Sequence, residues 1–353
     1  MNARPHWRDL LARHASVLAA VGLFAASMLV ARSFASLGGP SGASPAATAD
    51  ARSIGVYTGP DLTGVFVSCI PECDLVAIST GIGRRLTQTD RAVDESAPSL
   101  SPDGTRVAFR CAEPGIEPGS GAGSPRPAGF GRICLLDIPA DPDSGFGVTA
   151  ALLEDDATDY GSPAWSPDGA TIAFHAQAAA GASGIGVFDL ATGTSTIISE
   201  VEGHVANPAW SPDGGRLAFL CGTEAAPSAE TATRLCTMPG AGGVPSVVAS
   251  VAGTCGAPSF TPDGANLGLA CVAPGSEGGD LFLVSTAGGA VRTMTSSRRI
   301  APEGLARIAW SPDERYAYVR SNDALLAIDL PSETWSQPPL VALHGDFDVR
   351  VAR

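Results

Sequence analysis

The 353-residue chain contains no lysine; all 22 of its basic residues are arginines. That absence excludes Schiff-base chemistry on a lysine and phosphate cradling by a P-loop lysine. Positive charge is scarce overall: 36 acidic residues give a net charge of −14. Nucleic-acid binding needs a positive surface, so nucleic acid is disfavoured as a partner. No Gly-x-Ser-x-Gly elbow, His-Glu-x-x-His pair or dinucleotide fingerprint occurs, and no catalytic residue is assigned. Aromatic residues make up only 6% of the chain, whereas Gly (42) and Pro (28) are plentiful. That balance favours many turns and short strands over long helices.

One long apolar run is present, "SVLAAVGLFAASMLVA" from Ser16 to Ala31, preceded by Arg4, Arg8 and Arg13. At about 1.5 Å per residue the run is short for a membrane span, and "RSFASL" extends it. The positive residues keep their end cytoplasmic and send the remainder outward. Two readings stay open: a single-pass signal anchor, or a signal peptide cleaved before Ser36. The first gives a cell-membrane protein with an extracytoplasmic C-terminal domain, the second a secreted or periplasmic one. Residues 1–37 are assigned to this anchor or signal helix. Residues 38–53, rich in Gly, Pro, Ala and Ser, form a flexible linker, and 54–353 a folded domain.

Within that domain one phrase recurs five times: "PSLSPDGTRVAFRC", "PAWSPDGATIAFHA", "PAWSPDGGRLAFLC", "PSFTPDGANLGLAC" and "IAWSPDERYAYVRS". Its aspartates are Asp103, Asp168, Asp213, Asp263 and Asp313. A period of roughly 45–65 residues is near the size of a four-stranded propeller blade. Pro, Asp and Gly at the centre of the phrase make a type I turn, and apolar residues alternate after it, as in a strand. Before the turn stand a small residue for a crowded axis and a large apolar one to wedge between neighbouring blades. An upstream unit lacks the turn phrase. Its first strand is either "IGVY" or the C-terminal "FDVRVAR", which would latch a ring. The expected fold is all-β: a six-bladed β-propeller of four-stranded blades, with seven blades as the rival count. An open β-array is disfavoured because an isolated blade cannot bury both faces.

The phrase resembles the repeat of TolB-type, WD-like bacterial β-propellers, over about 54–353. The resemblance implies the fold, and its residues are structural. It does not extend to the amino-terminal α/β domain of that family, so a translocation role is not carried over.

Eight cysteines stand at fixed places in this register. Cys111, Cys221 and Cys271 end second strands, while Cys134 and Cys236 open third strands. The register pairs Cys111 with Cys134, Cys221 with Cys236, Cys255 with Cys271 and Cys69 with Cys73. An outward-facing domain meets an oxidising compartment where such bridges persist. The pairs lie in different blades and no Cys-x-x-Cys occurs, so no metal site is assigned to them. All eight fall on the propeller face that carries the long second-to-third strand loops, a usual place for recognition.

Loop residues on that face include Asp155 and Asp156, and the face is expected to be net acidic. The residues just before each first strand are expected at the channel mouth: Glu95, Tyr160, His204, Asn207 and Arg307. Such a ring suits a polar ligand or Ca²⁺; no other cofactor is implied. His175 and His204 are the histidines able to approach each other. The expected function is a recognition or scaffold module. It binds a protein or cell-envelope ligand through the disulfide-clamped acidic face and meets the membrane through its N-terminal segment. The alternative is a metal-assisted hydrolase or lyase at the channel mouth.

Overall fold

A computed structural model describes the chain from 55 to 351, apart from loop stretches of which the longest are 113–129, 223–231 and 339–346. The expected leader and linker, 1–53, lie outside the described residues. Among the described residues every regular element is a strand, and no helix is long and apolar enough to cross a membrane.

The architecture is an all-β propeller whose strands pair into six sheets. A short strand, β1 (Gly55–Val56), comes first. The first sheet then runs β2 (Leu62–Cys69), β3 (Cys73–Ser79) and β4 (Ile82–Arg85). The second is β5 (Asp94–Leu100), β6 (Arg106–Ala112), β7 (Arg132–Asp137) and β8 (Val148–Leu153). The third is β9 (Thr158–Trp165), β10 (Thr171–Ala178), β11 (Ser183–Asp189) and β12 (Thr194–Val201). The fourth is β13 (His204–Trp210), β14 (Arg216–Gly222), β15 (Ala232–Pro239) and β16 (Ser246–Ala252).

In the fifth the inner strand is split into β17 (Thr254–Cys255) and β18 (Ser259–Phe260), followed by β19 (Asn266–Val272), β20 (Asp280–Ser285) and β21 (Arg292–Thr293). The sixth holds β22 (Ala309–Trp310), β23 (Tyr316–Ser321), β24 (Ala324–Asp329) and β25 (Thr334–Gln337). The last strand, β26 (Phe347–Val351), returns to the first sheet and pairs antiparallel with β2, with Phe347 opposite Phe66.

That pairing decides between the two candidates for the missing first strand. The C-terminal segment takes the place, and Gly55–Val56 instead pairs parallel with Ser336 and Gln337 on the outer edge of the sixth sheet. The expectation of uniformly four-stranded blades is corrected on two counts. β1 adds an outer strand to the sixth sheet, and the interruption at Gly256–Pro258 divides the inner strand of the fifth. Five sheets carry the turn phrase, and the sheet that joins the chain ends does not.

Each turn is held by the same bonds. Gly104 N–H donates to Ser101 O (2.9 Å), closing the type I turn. The Ser101 hydroxyl donates to Asp103 Oδ1 (2.6 Å), which also accepts from Thr105 N–H (3.0 Å). Asp168, Asp213, Asp263 and Asp313 repeat this pattern with Ser166, Ser211, Thr261 and Ser311. The Ser101 hydroxyl and then the Thr105 amide hold the Asp103 carboxyl at about 2. Hydrogen bonds made to the charged form explain that direction. The turn glycines are left-handed, φ 71° to 74°, and Glu314, which replaces glycine in the last copy, adopts 56°. Glu314 Oε1 accepts the Asp263 N–H (3.0 Å), so the substituted residue links its turn to the preceding one.

The cores lie between sheets. Trp165 of β9 packs on Ala108 and Ile133 of the second sheet, and Phe260 of β18 on Ala218 and Leu235 of the fourth. Trp310 of β22, with Ile308 just before the strand, packs on the core that holds Ala270 and Leu281 of the fifth. The large residue before each turn is thus the expected wedge. The last core joins Tyr316, Tyr318 and Leu325 of the sixth sheet to Leu62, Val76 and Phe347 of the first, so the series of interfaces closes.

Three of the expected bridges are present: Cys111–Cys134, Cys221–Cys236 and Cys255–Cys271, with Cα–Cα distances of 5.9, 5.9 and 4.0 Å. Cys69 and Cys73 are register partners, but their side chains lie outside the described residues. Peptide mapping without reduction should return these three links, and Cys221→Ser should lower stability by about 2 kcal/mol. Free thiols at these positions would contradict the register. Phe347→Ala should lower the urea midpoint by the equivalent of about 3 kcal/mol. An unchanged midpoint would show that β26 does not hold the fold together.

Candidate functional site

Three inner strands share one irregularity. Register slips between Ser96 and Ser99 in β5, between Gly161 and Ala164 in β9, and between Ala206 and Ala209 in β13. At each slip a residue before a proline takes a left-handed backbone: Ala97 (φ 49°), Ser162 (47°) and Asn207 (56°). None is glycine, so each holds local strain of the kind that collects at ligand sites. Bulges of this type re-aim side chains.

Here they face a cavity of about 240 Å³ lined by all six sheets or the segments leading into them: Ala97, Ser162, Asn207, Ala257, Arg307 and Phe347. The cavity is therefore axial. The Ser162 hydroxyl donates to Asn207 Oδ1 (2.7 Å) across two sheets, and Arg307 Nη2 donates to Pro208 O (3.4 Å). A second cavity of about 410 Å³ shares Arg307 and Phe347 and extends to Pro212 and Pro262 of the turn phrases.

At the loop end a polar cluster crosses the seams between sheets. Arg110 of β6 meets Asp159 of β9 at 3.1 Å, and Asp159 Oδ1 also accepts the Gly131 N–H (2.6 Å). His175 of β10 and His204 of β13 stand with ring centroids 6.3 Å apart. His204 Nδ1 lies 3.4 Å from Gln177 Oε1. Gly161 fits beneath His175, since a Cβ there would come within 2.5 Å of the ring. The Tyr160 hydroxyl donates to Asp155 Oδ2 (2.5 Å). Burial, then this bond, raises the phenol. Burial would also raise the Asp155 carboxyl, but bonds from Tyr160, Ala157 and Thr158 bring it below its usual range.

The expected mouth ring therefore divides. Asn207 and Arg307 do line the axial cavity. Tyr160, Asp155 and His204 belong to the loop-end cluster, and Asp156 lies outside the described residues. Glu95 is corrected: its side chain is only 2% exposed. Glu95 Oε2 accepts from Leu75 N–H (3.0 Å) and the Thr87 hydroxyl (2.7 Å), tying β5 to the first sheet. The expected acidic face is likewise partly spent on structure. Asp280 Oδ1 accepts from the Thr295 hydroxyl and from Arg298 N–H, both at 3.0 Å, and Asp159 is held by Arg110. Ser162 and Ala97 went unnoticed in the sequence. Their signal was the residue immediately before proline in each inner strand.

No family model matches the chain, and no curated protein is similar to it in sequence. Solved structures are similar in fold. TolB from Acinetobacter baumannii superposes with a TM-score of 0.58 at 15% identity, over 82% of this chain and 66% of that one. An oligogalacturonate lyase in complex with manganese gives 0.54 at 15%, over 79% and 73%. A chain of the nidogen/laminin complex gives 0.56 at 11%, over 84% and 99%. The fold is a TolB-like β-propeller. At these identities the likeness extends to the fold alone, and the chain spans 66% of the Acinetobacter protein's length.

The TolB-like ring encloses a titratable pair at the loop end. Burial, foremost, pushes the His175 imidazole down to about 4; Asp159 opposes that shift, while His204 and Arg110 add to it. Burial also lowers His204, with Asp159 again opposing. The folded state thus keeps His175 neutral where the unfolded chain binds a proton. Its contribution is complete above pH 6.5 and is lost as pH falls towards about 4. The loss is at most about 3 kcal/mol. Denaturant midpoints measured from pH 7 to pH 4 should fall, and His175→Leu should flatten most of that slope. An unchanged slope in the variant would place the acid sensitivity elsewhere.

Proposed function

We propose that the chain is a six-bladed, extracytoplasmic recognition or scaffold module. It binds a protein or cell-envelope polymer at its loop end, around the mouth of the axial cavity, and is tethered to the membrane by its N-terminal segment. The observation that carries this reading is the difference between the two ends of the propeller. One end is occupied by five near-identical short turns. The other gathers the three disulfides, the longest second-to-third strand connections and the Arg110–Asp159–His175–His204 cluster. Rigid scaffolds present variable loops in this way for binding. The paired cysteines agree with an oxidising compartment. One fold neighbour is a chain of a nidogen/laminin complex, which makes a protein the preferred class of partner.

The second reading, a metal-assisted hydrolase or lyase, draws on the likeness to oligogalacturonate lyase in complex with manganese. Among the described residues no group of three His, Cys, Asp or Glu is arranged to hold a metal ion, Ca²⁺ included.

Photo-crosslinking residues placed one at a time separate the two ends. Positions 155 and 275 report on the loop end, and 192 and 333 on the turn end. In intact envelopes, adducts to one partner should form at 155 or 275 at several times the yield at 192 or 333. Equal yields, or adducts at the turn end alone, would overturn the assignment of the recognition face.

A further inference from the structure

We infer that the axial cavity is a binding site for a ligand carboxylate, with the Arg307 guanidinium as its charge partner and the Asn207 amide as its second donor. The inference deepens the recognition reading and rests on it for the direction of approach. Three observations carry it.

The first is the state of Arg307. A guanidinium offers five N–H donors in a rigid fork that matches a carboxylate. Among the described residues its side chain makes one hydrogen bond, the 3.4 Å contact to Pro208 O, and no ion pair. A half-buried guanidinium is ordinarily satisfied by a carboxylate of its own protein. This chain has 36 acidic residues, yet none of those described is spent on Arg307. Asp348, which lines the adjoining cavity, is bonded to Leu100 N–H instead (2.7 Å).

The second is the orientation of Asn207. Its Oδ1 accepts the Ser162 hydroxyl, which leaves the Nδ2 donors as the free end of the amide. The cavity thus pairs one positive charge with an additional N–H donor and shows no competing carboxylate among its lining residues.

The third is backbone strain. Ala97, Ser162 and Asn207 hold left-handed conformations without being glycine, and all three line this cavity. Strain at successive inner strands, confined to one concave site, is what preorganisation for a ligand requires.

Size and charge narrow the ligand class. About 240 Å³ admits a small acid or the terminal group of a larger molecule, not a polymer segment. A single guanidinium balances a monoanion. A phosphate carries about −1.5 to −2 at neutral pH and would bring uncompensated charge into an already acidic protein. The inner site therefore selects for the sign opposite to that favoured by the acidic surface around it.

The test uses the purified full-length chain and calorimetric titration at constant ionic strength, with acetate, inorganic phosphate and chloride as probes. Acetate should bind saturably, at roughly millimolar strength for so small a ligand. Phosphate should bind more weakly, and chloride should give no saturable heat. Arg307→Gln should weaken acetate at least about tenfold, the loss expected for a charge-assisted pair. Arg307→Lys keeps the charge but not the fork and should fall between, and it serves if the Gln variant melts early. Arg292→Gln, on the exposed outer strand β21, should match the parent. No saturable acetate binding, equal binding by a well-folded Arg307→Gln, or tighter phosphate would each overturn the inference. Acetate binding that Arg307→Gln removes while crosslinking at 155 and 275 persists would keep the inference and separate the cavity from the partner face.

Discussion

Pairing of β26 with β2 is the contact on which the remaining structure depends. A four-stranded sheet with apolar residues on both faces has no stable existence alone, and each sheet here buries its faces only against two neighbours. Leu100, Trp165, Trp210, Phe260 and Trp310 supply a wedge at five of the six seams. At the remaining seam no turn phrase provides a wedge, and the C-terminal strand brings Phe347 into the core formed by Tyr316, Tyr318, Leu62 and Val76. Phe347 also lines both axial cavities, so the residue that closes the ring helps to shape its interior.

Given closure, the two ends of the ring follow different physical rules. At one end the Ser/Thr-Pro-Asp turn satisfies its own backbone donors through a hydroxyl and a carboxylate, and repeats with little variation. At the other end connections are long, and their bases are fixed by covalent bridges instead of by turn geometry. Bulges with left-handed residues appear towards the axis, and half-buried imidazoles sit between sheets. A rigid repeat can carry local strain and unpaired donors that a smaller domain would not tolerate.

Much of this was legible in the sequence. The turn phrase marked equivalent positions, which placed the wedges, the three bridges and the approach of His175 to His204. Period alone could not decide where β1 belongs. "IGVY" and "FDVRVAR" both read as strands, and the choice depends on which edge remains open once the ring forms. The candidate site was half legible. Asn207 and Arg307 were found because they stand at the same repeat position. Glu95 was misplaced: it lies within strand β5, and its carboxylate turns inward to Leu75 and Thr87. The register slips that define the cavity leave no signature in apolar periodicity. The proline that follows each slip was their only trace.

A protein closed by its ends should resist opening there as strongly as it does elsewhere. Native-state hydrogen exchange measures this most directly. The account predicts that amides in 62–66 and 347–351 are protected to the same degree as those in 216–222, and lose protection together with them as denaturant is added. Rapid exchange in 62–66 and 347–351, with 216–222 still protected, would show that the sheets hold without the closing strand and would contradict the account.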